Sequence, residues 1–189
     1  MLAAAFAATS VWSQTIVNGD FETGDLPPWT VVFAGSTGGH NAVGYGTANV
    51  HSGTYSAEVF DNDGLARLSQ SVTTVPGQRY TLSAWVAQGM AWPENVASIG
   101  LGAANPPVSC TLGADNVWSL CTGTFTAAGT SERVDLWFGT QPGQGSISFD
   151  DVTLTPLPVT AVPALSDLPL LALVAALGAL GVARMRRRA

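Results

Sequence analysis

Between residues 14 and 155 the chain runs through ten short strand-like stretches, several of them alternating cleanly between apolar and polar residues, with Gly-, Pro-, Asn- and Asp-rich turns at short intervals. The expected strands are 15–21, 29–33, 56–60, 66–75, 79–87, 96–102, 107–112, 117–126, 133–138 and 146–154. Tyr80, Leu82, Ala84 and Val86 show the pattern well: they share one face of their strand, and Trp85 falls on the other. The clusters DNDG (61–64), VPGQ (75–78), AAGT (127–130) and QPGQG (141–145) separate the strands, with no helical spacer to carry a parallel crossover. Such a chain closes on an all-β fold of two packed sheets, a sandwich, and is long enough for one domain with a proper core.

The two ends read differently from this body. Residues 1–13 hold a short apolar stretch ending in Val11-Trp12-Ser13, with small residues where a signal peptidase reads. They are expected to be a signal peptide, one truncated at its start, since no basic residue precedes the apolar stretch. Residues 156–161 form a Pro-rich linker of extended character. Residues 162–189 hold a short motif, an apolar run from Leu168 to Ala183, and a final cluster at Arg184, Arg186, Arg187 and Arg188. Sixteen apolar residues at ~1.5 Å each reach roughly 24 Å, slightly short of a ~30 Å hydrocarbon core, and arginines can snorkel across the difference. Helix 168–183 is therefore expected to span the inner membrane with the arginines on the cytoplasmic side. The tail resembles the PEP-CTERM type of sorting signal, closest to the variant whose motif begins IPTLS. The matching residues are Val162, Pro163, Ala164, Leu165, Ser166 and Asp167, although Leu168 stands where that variant carries Trp. The resemblance implies an exosortase-type membrane protease as partner, transient anchoring, and a place at the cell surface or outside the cell. An ordinary uncleaved anchor is the alternative.

All 13 acidic residues lie between Gln14 and Asp167, against Arg67, Arg79 and Arg133 and no lysine, a formal charge of −10. That surface repels phosphate backbones and excludes nucleic acid as a partner. Cys110 and Cys121 are the only cysteines, and export allows them to pair. The GADN turn signal between them predicts a hairpin centred at Asp115–Asn116, which sets the two cysteines opposite each other within disulfide range.

Four segments, IVNGDFETGDLPPWTV (16–31), HSGTYSAEVF (51–60), LSQSVTTVPGQRYTLSAWV (68–86) and ISFDDVTLTP (147–156), occur in the order seen in the galactose-binding-like jelly rolls. These include several carbohydrate-binding modules, and the chain resembles them. The resemblance implies a jelly roll over 14–155 and a structural Ca2+ between the first and last strands. Its ligands would be Glu22, Asp150, Asp151 and a main-chain oxygen near Gly53, with Asp20 supplied by the same NGDFE segment. Asp150 is preferred over Asp151, because alternation sets it on the face of Val152 and Leu154, where a buried carboxylate needs a partner. The alternative is that these carboxylates cap turns in solvent.

Sugar recognition needs aromatic rings offered to C–H faces. Trp29 matches a core position; Trp85, Trp92 and Trp137 are the candidates for a platform, with Gln88 and Asn95 as hydrogen-bonding groups. Taken singly, each ring is also a candidate for core packing. His40 and His51 are the only histidines, and no nucleophile elbow, zinc spacing or phosphate loop occurs, so an enzyme is not expected. Two readings stand: an exported surface or matrix protein that binds exopolysaccharide, or a ligand-free structural or protein-interaction module sorted to the envelope.

Overall fold

The computed structural model describes residues 16–34, 44–45, 50–59, 64–89, 95–140 and 146–158. The chain divides into two compact units, 1–157 and 158–189. The expected signal segment, the sorting motif 162–167 and the expected span 168–183 lie outside the described residues. Among the described residues no helix is long and apolar enough to cross a membrane.

The first unit is built from β1 (Thr30–Ala34), β2 (Gly44–Tyr45), β3 (Tyr55–Val59), β4 (Gly64–Thr73), β5 (Arg79–Gln88), β6 (Val96–Leu101), β7 (Val108–Ser109), β8 (Ser119–Thr126), β9 (Ser131–Thr140) and β10 (Ile147–Pro156). They form two antiparallel five-stranded sheets, ordered β1-β4-β9-β6-β7 and β2-β3-β10-β5-β8. Alternation is the cause of the sandwich. Leu68 and Val72 on β4, Val134, Leu136 and Phe138 on β9, and Ile99 and Leu101 on β6 turn inward from the first sheet. Tyr80, Leu82 and Val86 on β5 meet them from the second, with Ile147 and Phe149 on β10. Phe138 and Phe149 touch across the sheets with centroids 6.4 Å apart. Burial of each such side chain is worth about 1.5–3 kcal/mol, which commits both sheets to one core.

Three features depart from the sequence reading. Residues 16–24 do not form the expected strand: Asn18 and Phe21 sit at φ 52° and 55°, as the Asn-Gly-Asp turn chemistry allows. Gln70 replaces a strand partner there. Its Nε2 donates to Val17 O and its Oε1 accepts from Val17 N, both at 2.8 Å.

The second departure concerns the cysteines. Cys110 and Cys121 are joined, with Cα atoms 5.2 Å apart, but no hairpin connects them. Cys110 N–H donates to Ala97 O, so it continues the first sheet beside β6. Cys121 belongs to β8 in the second sheet, paired with Ala84. Residues 111–118 cross between sheets through a turn closed by Val117 N–H to Ala114 O. The disulfide is thus a staple between layers.

Breaking it with Cys110→Ser and Cys121→Ser is expected to cost about 3 kcal/mol from loop entropy. The matching fall in melting temperature is about 10 °C, read by calorimetry with and without reductant. An unchanged melting temperature would show that packing alone holds the layers.

The third departure is at β10. Register slips between Asp150 and Thr153, and Asp151 adopts φ 47°. Ile147 and Phe149 point into the core before this bulge, Val152 and Leu154 after it. Asp150 therefore lies on the face opposite Val152 and Leu154, paired with outward Trp85. It is nonetheless fully buried, because residues 51–55 cover it.

Candidate functional site

On β9 the inward Val134, Leu136 and Phe138 leave Arg133, Asp135 and Trp137 on the outer face of the first sheet. Register places Arg67 of β4 on one side of Trp137 and Ser98 of β6 on the other. The Arg67 guanidinium carbon lies 4.8 Å from the Trp137 ring centroid, a cation–π contact. Toward β6 and β7 the indole borders an open groove of about 390 Å³, walled by Val96, Ser98, Pro107 and Ser109. The ring has a cation on one side and a groove with two hydroxyls on the other.

Asp135 holds this arrangement together. Only 6% exposed, it accepts from Ser69 Oγ at 2.9 Å and from Arg133 Nε at 2.7 and 3.0 Å, and Arg67 Nε lies 3.5 Å away. Its hydrogen bond and charge hold the Arg133 guanidinium above its ordinary pKa, with burial opposing. Charge-assisted bonds of this kind fix long side chains that would otherwise wander.

The second sheet carries Trp85 on β5. His51 stacks on Trp85 with centroids 4.0 Å apart and planes 16° from parallel, and Trp118 meets His51 edge-on at 5.6 Å. Trp85 and Trp137 thus belong to different sheets and face away from each other, so they do not make one platform. Gln88 and Asn95 are buried and serve the frame: Gln88 Nε2 donates to Gly113 O, and Asn95 Nδ2 donates to Gln88 Oε1 at 3.0 Å. Trp29 is a core residue whose Nε1 donates to Asn18 O at 2.9 Å. Trp92 lies outside the described residues. Sequence reasoning passed over Arg67, Ser69, Asp135 and Trp118. The alternation of 133–138 was signal enough for Asp135.

The carboxylates of the expected metal site gather at the turn 51–55. Asp150 Oδ2 accepts from His51 N and Ser52 N at 3.0 and 3.1 Å, and Oδ1 accepts from Asp151 N at 2.8 Å. Asp151 accepts from Ser52 Oγ at 3.0 Å and lies 2.7 Å from His51 Nδ1. Glu22 Oε1 accepts from Thr54 N and Tyr55 N, both at 2.8 Å. Gly53, at φ 66°, is required here, since a Cβ would strike the Glu22 carboxyl. Asp20 is exposed and accepts from Glu22 N at 3.4 Å. Atoms of His51, Asp150 and Asp151 lie within 4.8 Å of one another, and Glu22 stands apart from that group. Burial pushes the Asp150 carboxyl up to about 6, against the three N–H groups that lower it.

Residues 13–145 match the family model described as a carbohydrate binding domain. The chain belongs to this family. No curated protein matches it. Among solved structures, this carbohydrate-binding domain is similar to TmCBM61, solved in complex with β-1,4-galactotriose. Identity is 19% over 76% of this chain and 99% of that one, with a TM-score of 0.60. A cyclase from Fischerella sp. TAU, solved with 4-(1H-indol-3-yl)butan-2-one, is 21% identical over 79% and 99%, with a TM-score of 0.57. The family 22 module of Clostridium thermocellum Xyn10B is 13% identical over 80% and 97%, with a TM-score of 0.51. At these identities the likeness is one of fold, and the fold hosts both binding and catalytic proteins.

Proposed function

We propose that the domain binds polysaccharide on the outer face of the first sheet, without catalysing a reaction on it. The carrying observation is Trp137, half-buried between the Arg67 guanidinium and an open groove. A pyranose laid in the groove presents its C–H face to the indole. Ser98 and Ser109 bond its hydroxyls, and Pro107 forms the far wall. Arg67, fixed beside the ring, keeps the indole in one orientation before ligand arrives, which lowers the ordering cost of binding. A β-linked oligosaccharide of the kind held by TmCBM61 is a sensible first ligand. The test is a polysaccharide panel probed with the full chain and with Trp137→Ala. Silence across the panel favours the ligand-free module.

The turn 51–55 is the place for Ca2+. Asp150 and Asp151 supply hard oxygen donors at this turn, the donor type that Ca2+ takes, and Glu22 ties the N-terminal segment to the same turn through Thr54 N and Tyr55 N. A buried carboxylate whose ionisation is disfavoured gains most from a cation. Bound there, the ion would neutralise these carboxylates and clamp the N-terminal segment to β10 through the turn; its role is structural.

The ends of the chain support delivery outside the cytoplasm: residues 1–13 as signal, 162–167 as sorting motif, 168–183 as span. A truncation ending at residue 161 is expected to leave the membrane fraction entirely. Full-length and truncated chains that fractionate alike would overturn that reading.

A further inference from the structure

The domain is strongly acidic, yet two of its three arginines stand on the face that carries Trp137. Arg133 and Arg67 lie on neighbouring strands, and among the described residues Asp135 is the only carboxylate paired with either. Among the described residues, two guanidinium groups stand against one carboxylate here, on a domain whose other charges are mostly negative. Asp135 does not exhaust them. Arg133 commits Nε to it and is 46% exposed at its side chain. The Arg67 side chain is 17% exposed; among the described residues its Nε has no hydrogen-bond partner and is shut off from solvent, and its guanidinium lies over the indole.

We infer that the polysaccharide is an acidic one, whose sugars carry carboxylate or sulfate groups, and that it lies along β9. This rests on the glycan reading of the Trp137 face. Arg133, Asp135 and Trp137 recur at every second residue, so Arg133 stands about 13 Å along the strand from Trp137. One sugar stacked on the indole cannot meet both; a chain of several sugars can. An acid group on a sugar beyond the indole then meets Arg67, which lies across the ring from the groove, and one further along meets Arg133. Guanidinium suits this task because its planar fork meets a carboxylate or sulfate with two parallel hydrogen bonds. The negative remainder of the domain keeps an acidic polymer from adhering elsewhere, so the contact is confined to this patch.

The test titrates the full chain with a polyuronate and with the same polymer after carboxyl reduction, then with a sulfated polysaccharide and its desulfated form. The expected result is at least tenfold tighter binding of one acidic polymer than of its neutral counterpart at low salt, with the gap closing as salt rises. Which pair shows the gap identifies the acid group. Arg133→Gln should shrink the preference while leaving neutral binding measurable; Arg67→Gln should shrink the preference and also weaken neutral binding, since it frees the indole. Equal affinity within both pairs, with no salt dependence in the wild-type chain, overturns the acidic inference and leaves the glycan reading intact. Absence of binding to all four polymers, or binding that Trp137→Ala does not weaken, overturns the glycan reading itself. The wild-type salt series decides the matter even if an arginine variant fails to fold.

Discussion

Trp137→Ala is expected to weaken polysaccharide binding by about 30- to 1,000-fold, the scale of losing a central aromatic anchor worth about 2–4 kcal/mol. The loss combines the stacking surface with the seat of Arg67, which rests 4.8 Å from the indole centroid. Trp137→Phe keeps a flat apolar ring and should retain part of the affinity; Ala should not. Stability should change little, because the ring is half-buried on an outer face and the core beneath it is Phe138 and Leu136. Trp85→Ala is the matched control. Trp85 belongs to the opposite sheet under His51, so its loss should leave affinity for the same polymer unchanged. Calorimetric titration of the three variants checks all of this. If Trp85→Ala removes binding and Trp137→Ala does not, the binding face is the second sheet.

Much of the frame was legible because it depends on local periodicity. Nine of the ten expected strands have counterparts among the ten observed, since alternation and turn chemistry act within a few residues. Several failures share a cause: they depended on which strands lie side by side. Alternation in 133–138 groups Arg133, Asp135 and Trp137 on one face, but only the neighbours β4 and β6 make that face the outer one. Arg67 joins Trp137 through a register between distant segments, which no local pattern records. The cysteine pair was legible because there are only two cysteines. Its route was not, because a turn signal within 111–118 is compatible both with a hairpin and with a crossing between sheets. Asp150 was set on the wrong face because period-2 counting assumes an unbroken strand, and the bulge at Asp151 shifts the count by one.

That misplaced aspartate gives the largest expected effect on stability. Asp150→Ala takes the acceptor from three N–H groups, those of His51, Ser52 and Asp151, beneath a covered turn. Unmet buried donors cost about 1–3 kcal/mol each, and with relaxation the sum should be about 3 kcal/mol or more, near 10 °C of melting temperature. Asp150→Asn keeps one acceptor oxygen and should lose less. The sign of the pH dependence follows from the carboxyl's shift. Its pKa rises from 3.8 to about 6 in the folded chain, chiefly through burial. Between about pH 4 and pH 6 the folded state therefore holds the proton that the unfolded state has released. In chelator, stability should fall as pH rises through that window and level off above it; Asp150→Ala should lack this slope, and its deficit should be largest near pH 4. Ca2+ competes with that same proton. Its stabilising effect should be small near pH 4, grow through the window and reach its maximum above pH 6. Melting curves at pH 4, 5, 6 and 7 in calcium and in chelator separate the two claims. Curves that coincide at every pH remove the calcium clamp. A wild-type slope identical to that of Asp150→Ala removes Asp150 as its titrating group.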